Sequence, residues 1–169
     1  MVKLETKISA SQQKIYDLLE EVKDPEIPVL SVVDLGVVRN VEIQKGCKVI
    51  VTITPTYSGC PAMDTIEREI KETLTQAGYE PDVLTKIAPA WTTDWISDKG
   101  LKNLEAYGIA PPNEVTTDKS FITGKHKAVR CPQCKSQDTE MISQFGSTAC
   151  KALYKCKNCL ETFDYFKCI

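Results

Sequence analysis

Near the amino terminus, apolar residues recur at helical spacing: Ile15, Leu18, Leu19 and Val22, preceded by Ser9 and, three residues on, Gln12. The pattern predicts an amphipathic helix opened by a capping box and ended at Asp24-Pro25. The period then changes to two. In VVRNVEI, the residues Val37, Arg39, Val41 and Ile43 alternate with Val38, Asn40 and Glu42, and QKGC leads into KVIVTIT, which predicts a β-hairpin. From Pro61, the spacing of Met63, Ile66, Ile70, Leu74 and Ala77 is again helical, with Asp64 and Glu67 near the positive end of the dipole and Gly78 beyond the last turn.

Further on, DVLTKIA alternates through Val83, Thr85 and Ile87 as a short strand, and SDKGLKNLEAYG predicts a short helix with Leu101, Leu104 and Tyr107 inward and Gly108 as its stop. The order α-β-β-α-β-α implies an α+β fold with helices on a short mixed sheet, and no segment is long enough for a coiled coil or repeat array. The stretch IAPPNEVTTDKS, with two prolines and few apolar residues, reads as a linker, and beyond it EMISQF and LETFDYF are candidate strands of a small β-rich module. The expected organisation is a domain over residues 1–110, a linker over 111–120 and a module over 121–169.

Composition narrows the class. A chain of 169 residues, 42% hydrophobic and 26% charged, can bury an ordinary core, and one main domain with a small module is the expected partition. Charge divides unevenly: residues 1–112 carry 12 Lys/Arg against 17 Asp/Glu, whereas residues 113–169 carry 9 against 6, so the basic surplus sits in the distal part. The amino-terminal segment lacks the uninterrupted apolar stretch of a secretory signal, and no window approaches the length of a membrane span. A cytoplasmic location follows as the expectation, with no membrane partner. In that reducing compartment the eight cysteines are kept for metals or chemistry rather than for disulfides.

The densest chemistry is CPQC at 131–134 and CKNC at 156–159, two C-x2-C pairs separated by 21 residues. Each such turn brings two sulfurs to one side of a tight loop, so Cys131, Cys134, Cys156 and Cys159 are candidate ligands of one tetrahedral zinc. Arg130, Lys135, Lys155 and Lys157 border the sulfurs and offset the charge of a zinc tetrathiolate. A module of this size has too little core to fold alone, so the metal would supply much of its folding free energy. The same four sulfurs also suit iron. Cys150 and Cys168 are additional candidate ligands of the module; their other reading, as small buried hydrophobes, is the commoner fate of a free cysteine.

A seventh thiol stands apart, in TPTYSGCPAMD. Cys60 falls at or just before the start of a helix, with Pro61 suited to its first position, so unpaired backbone N–H groups and the dipole would favour thiolate. The alternative is a packing cysteine that happens to lie there. Cys47, in the predicted hairpin turn, has no such setting.

DPEIPVLSVVDLGVV followed by TPTYSGCPAMD resembles the iron-sulfur cluster assembly domain of eukaryotic cytosolic targeting factors and their bacterial relatives. With PAWTTDWIS, GIAPP and the terminal CPQC and FGSTACKALYKCKNCLETFDYFKCI, the whole chain is similar to the PaaD family, accessory components of the bacterial phenylacetyl-CoA epoxidase system. The resemblance implies a compact α+β domain followed by a zinc-ribbon-like module. It also implies an accessory, non-catalytic role in maturing an iron-sulfur centre for phenylacetate catabolism. The implied partners are the iron-sulfur reductase and other subunits of that epoxidase system, and general iron-sulfur assembly proteins. The implied cofactors are structural zinc and a transient iron or iron-sulfur cluster. Carried over by position, the family's acidic motif falls on Asp24 and Glu26 and its reactive cysteine on Cys60; the knuckle cysteines, with Cys150 and Cys168, also match.

Other classes remain for comparison. Zinc ribbons bind nucleic acid or protein, but the module's formal charge of +3 falls to about +1 once four thiols become a zinc tetrathiolate, and the rest of the chain is acidic, which disfavours phosphate binding. A thiol enzyme would need a general base near Cys60, and the one histidine, His126, lies beyond the linker. A structural subunit of the oxygenase complex is a further alternative, and a homo-oligomer is a further candidate partner; separately, Trp91 and Trp95 are candidates for a docking surface, with core as the equally open reading.

Overall fold

A computed structural model describes residues 9–112 and 129–167. Most of the expected linker, His126 and Cys168 lie outside the described residues.

The first helix, α1 (Ala10–Leu19), opens as its sequence dictates: Ser9 Oγ accepts from Gln12 N at 3.2 Å and Gln12 Oε1 accepts from Ser9 N at 3.0 Å, the reciprocal box. Its apolar stripe buries Ile15 and Leu19 completely. The following segment, residues 23–37, is neither helix nor strand, yet Ile27, Leu30, Val32, Leu35 and Val37 are all buried core. An isolated bridge between Lys23 and Ser31 closes the first part of it into a loop.

Strands β1 (Val38–Ile43) and β2 (Lys48–Ile53) form the expected antiparallel hairpin, and β3 (Glu80–Thr85) joins β2 in parallel with Val51 opposite Val83, giving a mixed sheet in the order β1-β2-β3. A bulge between Val38 and Asn40 breaks the alternation read from the sequence: Val38 and Val41, three apart, are both buried, while Ile43 is exposed. Between β2 and β3 runs α2 (Ala62–Gln76), whose buried positions Ala62, Ile66, Ile70 and Leu74 repeat every four residues; Ala77, expected on this face, is exposed. Helix α2 lies against β3, and α1 lies against β1 and α2.

Two further expectations fail at element ends. Ile87 is 72% exposed, because the strand stops at Thr85 and pairing with β2 ends there. Tyr107 is exposed at the last position of α3 (Asp98–Tyr107), whose buried face is carried by Gly100 and Leu104 one turn apart. Ser97 caps α3, accepting from Gly100 N at 2.9 Å and donating to Asp34 Oδ1 at 2.6 Å. A short 3-10 turn, Thr93–Trp95, precedes it. Trp91 is core, 5% exposed, with Nε1 donating to Leu35 O at 3.0 Å, while Trp95 is partly buried beneath the Arg39 guanidinium, 3.5 Å from its ring centroid.

The distal part is a three-stranded antiparallel meander of β4 (Thr139–Ser143), β5 (Lys151–Cys156) and β6 (Thr162–Phe166). The central strand, KALYKC, is not among the candidate strands read from the sequence. The meander has a small core of its own around Ala152, Tyr154 and Phe163, but Cys150 and Phe166 belong to the main core, where the Phe166 ring meets Trp91 edge to face at 5.9 Å. Ala110 continues the contact, donating its N–H to Asp164 O at 2.8 Å and accepting from Phe166 N at 2.9 Å.

Candidate functional site

Two groups of thiols stand out, at opposite ends of β5. At the far end, the two knuckles fold as the same turn. Cys131 N donates to Ser136 O and Cys156 N to Glu161 O, each across five residues at 2.9 Å. After the second cysteine of each pair comes a residue in left-handed conformation, Lys135 and Leu160, both with φ of 65°. This repeated geometry points the sulfurs together. Cys131 and Cys159 are 3.8 Å apart, Cys134 and Cys156 3.5 Å, and all four sulfurs lie within 4.8 Å of one another.

A tetrahedron with metal-sulfur bonds of about 2.3 Å has sulfur-sulfur edges of about 3.8 Å, so the quartet has the dimensions that zinc requires. Its electrostatics point the same way. The backbone N–H of Ser136 holds the Cys134 thiol down at about 6. Cys159 receives a similar bond from the backbone at Glu161, yet burial and the three surrounding sulfurs push it up to about 12. Four such sulfurs cannot all ionise beside one another without a cation, and one divalent ion resolves that conflict. Among the described residues this is the single group of three or more His, Cys, Asp or Glu donors so closely gathered.

The second group forms where the 23–37 segment, the start of α2 and the start of β5 meet. Asp24, 6% exposed, organises its loop: Oδ1 accepts from Glu26 N and Ile27 N, both at 2.8 Å. Burial pushes its carboxyl above the usual range, with the two backbone bonds pulling it back. Glu26, half-buried, turns its carboxylate toward the ribbon, where Cys150 Sγ is 3.8 Å from Oε2, and its backbone oxygen accepts from Lys151 Nζ at 3.1 Å.

Cys60 lies immediately before α2. The helix begins at Ala62, with Pro61 as N-cap rather than first helical residue. Proline has no side chain for that role, and the Cys60 sulfur instead accepts the Ala62 N–H, with a second bond from the Tyr57 hydroxyl. The expected thiolate is nevertheless not what this setting favours. Burial pushes the Cys60 thiol above its ordinary value, and the Glu26 and Asp24 carboxylates push the same way, outweighing the helix N–H and Tyr57. Tyr57 is itself pushed up to about 12, by burial and then by Cys60.

Cys150 is thus placed beside Glu26 rather than with the knuckle quartet, 4% exposed, with Thr148 Oγ1 at 3.0 Å and its thiol pushed up to about 11 by burial. Cys47 is exposed in the β1–β2 turn. Sequence reasoning does not join Cys150, Thr148 or Lys151 to the acidic motif, since 124 residues separate Cys150 from Glu26. No local spacing carries such a contact.

Comparison with known proteins agrees with this two-part construction. Residues 12–83 match the model of the iron-sulfur cluster assembly protein family, and residues 115–167 that of the PaaD zinc beta ribbon domain. The chain is 47% identical, over the full length of both proteins, to one assigned as the D component of 1,2-phenylacetyl-CoA epoxidase in Escherichia coli (strain K12). An Fe-S protein maturation auxiliary factor of Porphyromonas gingivalis (strain ATCC BAA-308 / W83) is 33% identical over 56% of this chain and 90% of its own length. The crystal structure of a DUF59 domain from Bacillus anthracis superposes with a TM-score of 0.52 at 29% identity, covering 54% of this chain and 89% of that one. A fold of three helices and two small sheets among the described residues, closed by a four-cysteine ribbon and similar along its whole length to the Escherichia coli protein, establishes that the chain belongs to the PaaD family.

Proposed function

We propose that the protein is an accessory maturation factor that assists assembly of an iron-sulfur cluster, or its delivery to the reductase of the phenylacetyl-CoA epoxidase system, in the cytoplasm and without itself performing the epoxidation. The observation that carries this reading is the separation of the two thiol groups. The knuckle quartet has the closed geometry of a structural site, and Cys131, Cys134, Cys156 and Cys159 would hold zinc there as a fold-stabilising ion. Cys60 stands outside that cage, half-buried at a helix start and facing Glu26 and Asp24. A thiol with neighbouring carboxylates suits transient custody of iron or a cluster, because a mixed and incomplete donor set releases what a tetrathiolate cage retains.

The raised Cys60 pKa fits custody better than nucleophilic catalysis. An enzyme would need a base to activate this thiol, and among the described residues the groups facing it are carboxylates and a tyrosine hydroxyl. An arriving cation displaces the proton, so the site is protected as a thiol until cargo is present. The partners are then the iron-sulfur reductase of the epoxidase system and the assembly proteins that supply the cluster. No helix among the described residues is long and apolar enough to cross a membrane.

The deciding experiment replaces Cys60 with serine. Cys60→Ser should leave zinc content and folding intact and lower iron-sulfur loading of the partner reductase in cells several-fold. Unchanged loading would overturn the assignment.

A further inference from the structure

Glu26 faces two thiols rather than one. Its carboxylate is 3.8 Å from Cys150 Sγ, and its charge also pushes up the Cys60 thiol. The Tyr57 hydroxyl, bonded to Cys60, lies within range of the charges of both Glu26 and Cys150. Tyr57 and Cys60 also pack against the buried cluster that contains Cys150. Three segments therefore bring two sulfurs and a carboxylate into one neighbourhood: the Asp24 loop, the start of α2, and the residue preceding β5. Lys151, next to Cys150, holds the backbone of Glu26 at 3.1 Å.

We propose that Cys150 is the second sulfur ligand of the cargo site, so that Cys60, Cys150 and Glu26 together capture a thiophilic divalent cation such as Fe(II) across the junction of the two modules. The proposal rests on the reading of Cys60 as the custody thiol and adds a ligand from the ribbon to it. On capture, two thiols each lose a proton to solvent and two metal-sulfur bonds form, with the carboxylate as the third donor; no oxidant or reductant is involved. Softness matches the cargo: two thiolates select iron, cobalt or cadmium over magnesium or calcium, and one carboxylate keeps the set weaker than the four-sulfur cage.

The site is only partly assembled without metal. The Cys150–Glu26 contact exists, but Cys60, Cys150 and Glu26 are not gathered as the ribbon quartet is. Capture would bring the Cys60 sulfur, which accepts from the Ala62 N–H and the Tyr57 hydroxyl, onto the same cation as Cys150. An unassembled third donor lowers affinity, which a carrier needs for release. Cys150 is 4% exposed, so on its own it presents little to solvent; it becomes a ligand only for a cation that Cys60 and Glu26 bring in.

The test is an anaerobic Co(II) titration of the full-length protein with zinc already in the ribbon, read by the sulfur-to-cobalt charge-transfer absorption. Cobalt that exchanges into the ribbon gives a four-sulfur spectrum common to every variant, and subtracting it isolates the second site. The expected result is one further Co(II) with a two-sulfur signature. That absorption should fall by about half in Cys60→Ser and in Cys150→Ala, and vanish in the double variant. Cys150→Ala fills the buried position with an apolar group of similar size, and its zinc content and circular dichroism verify folding. Glu26→Gln, at a half-buried position, supplies an independent arm. It should weaken cobalt binding by roughly tenfold or more while keeping both sulfurs on the metal. If Cys60→Ser abolishes the signal and Cys150→Ala leaves it at full intensity, the role of Cys150 is overturned and the custody reading of Cys60 stands. No second cobalt in the parent protein overturns the composite site itself, whereas the reading of Cys60 fails only on unchanged reductase loading in Cys60→Ser cells.

Discussion

Asp24 and Asp34 are both nearly inaccessible aspartates in the same short segment, and they respond to acid in opposite ways. Asp24 Oδ1 accepts from the backbone N–H groups of Glu26 and Ile27, but burial wins, so its folded-state pKa is raised. A raised carboxyl favours the folded state below the unfolded value near 3.8 and loses that advantage as pH rises through its folded value. Asp24→Asn keeps an oxygen for the two N–H groups and removes the buried charge. Its melting temperature at pH 7 should therefore equal or exceed that of the parent, with the difference closing in acid. Burial also opposes ionisation of Asp34, but Ser97, Ser31 and Lys99 overcome it, and the pKa is lowered. Its contribution is present above the unfolded value and disappears as pH falls through the folded one. Asp34→Ala should cost about 2 kcal/mol at neutral pH, the scale of hydrogen bonds to a charged group, measured by denaturant unfolding. The same competition sets Cys60. Glu26→Gln removes the carboxylate with the larger effect, so alkylation of Cys60 by iodoacetamide near pH 7.5 should speed up several-fold; an unchanged rate would mean that burial alone holds the proton.

At the scale of elements, a backbone constraint ties the acidic segment to the tryptophan loop. Gly36 has φ of +74°, and a Cβ placed there would sit 2.4 Å from the Trp95 carbonyl oxygen. Backbone does not yield as a side-chain tip does. Gly36→Ala should destabilise the protein by about 3 kcal/mol, through left-handed strain and overpacking together, as thermal or denaturant unfolding would show. The helices could be read from the sequence because capping and a four-residue apolar repeat agree, as at Ser9 and along Ala62–Leu74. Segment 23–37 could not, because its apolar residues are buried one by one through turns and carry no period. The bulge at β1 reversed a strand face that strict alternation would have kept, since one extra residue shifts every later side chain. In the candidate sites, the knuckle quartet was legible from spacing alone. Cys150 was not, because its partner Glu26 is reached only through the packing of the ribbon on the main core.

For the molecule as a whole, the ribbon joins the main core through Cys150 and Phe166, so loss of a metal from the quartet would be visible at a distance. Cys156 ends β5 at the quartet, and Cys150 precedes the same strand beside Glu26. The ribbon's own cluster is small, centred on Tyr154 and Phe163, so a metal held by the quartet would contribute much of what keeps the meander folded. Four sulfurs 3.5–3.8 Å apart at the closest pairs, without a cation, hold only what their protons and mutual repulsion allow. Chelating the metal, or introducing Cys134→Ser, should therefore loosen β6 and withdraw Phe166 from Trp91, which it meets at 5.9 Å. In a Trp95→Phe background, Trp91 emission should then shift to longer wavelength. Cys150 should become open to alkylation, while helical circular dichroism from α1 and α2 persists, because Ile15, Leu19, Ile66 and Ile70 are buried within the first part of the chain. If emission and Cys150 reactivity both stay fixed after chelation, the shared core suffices to fold the ribbon and the metal is not its main source of stability. If they move together with metal content, the ion at one end of β5 controls whether Cys150 is presented to Glu26 at the other.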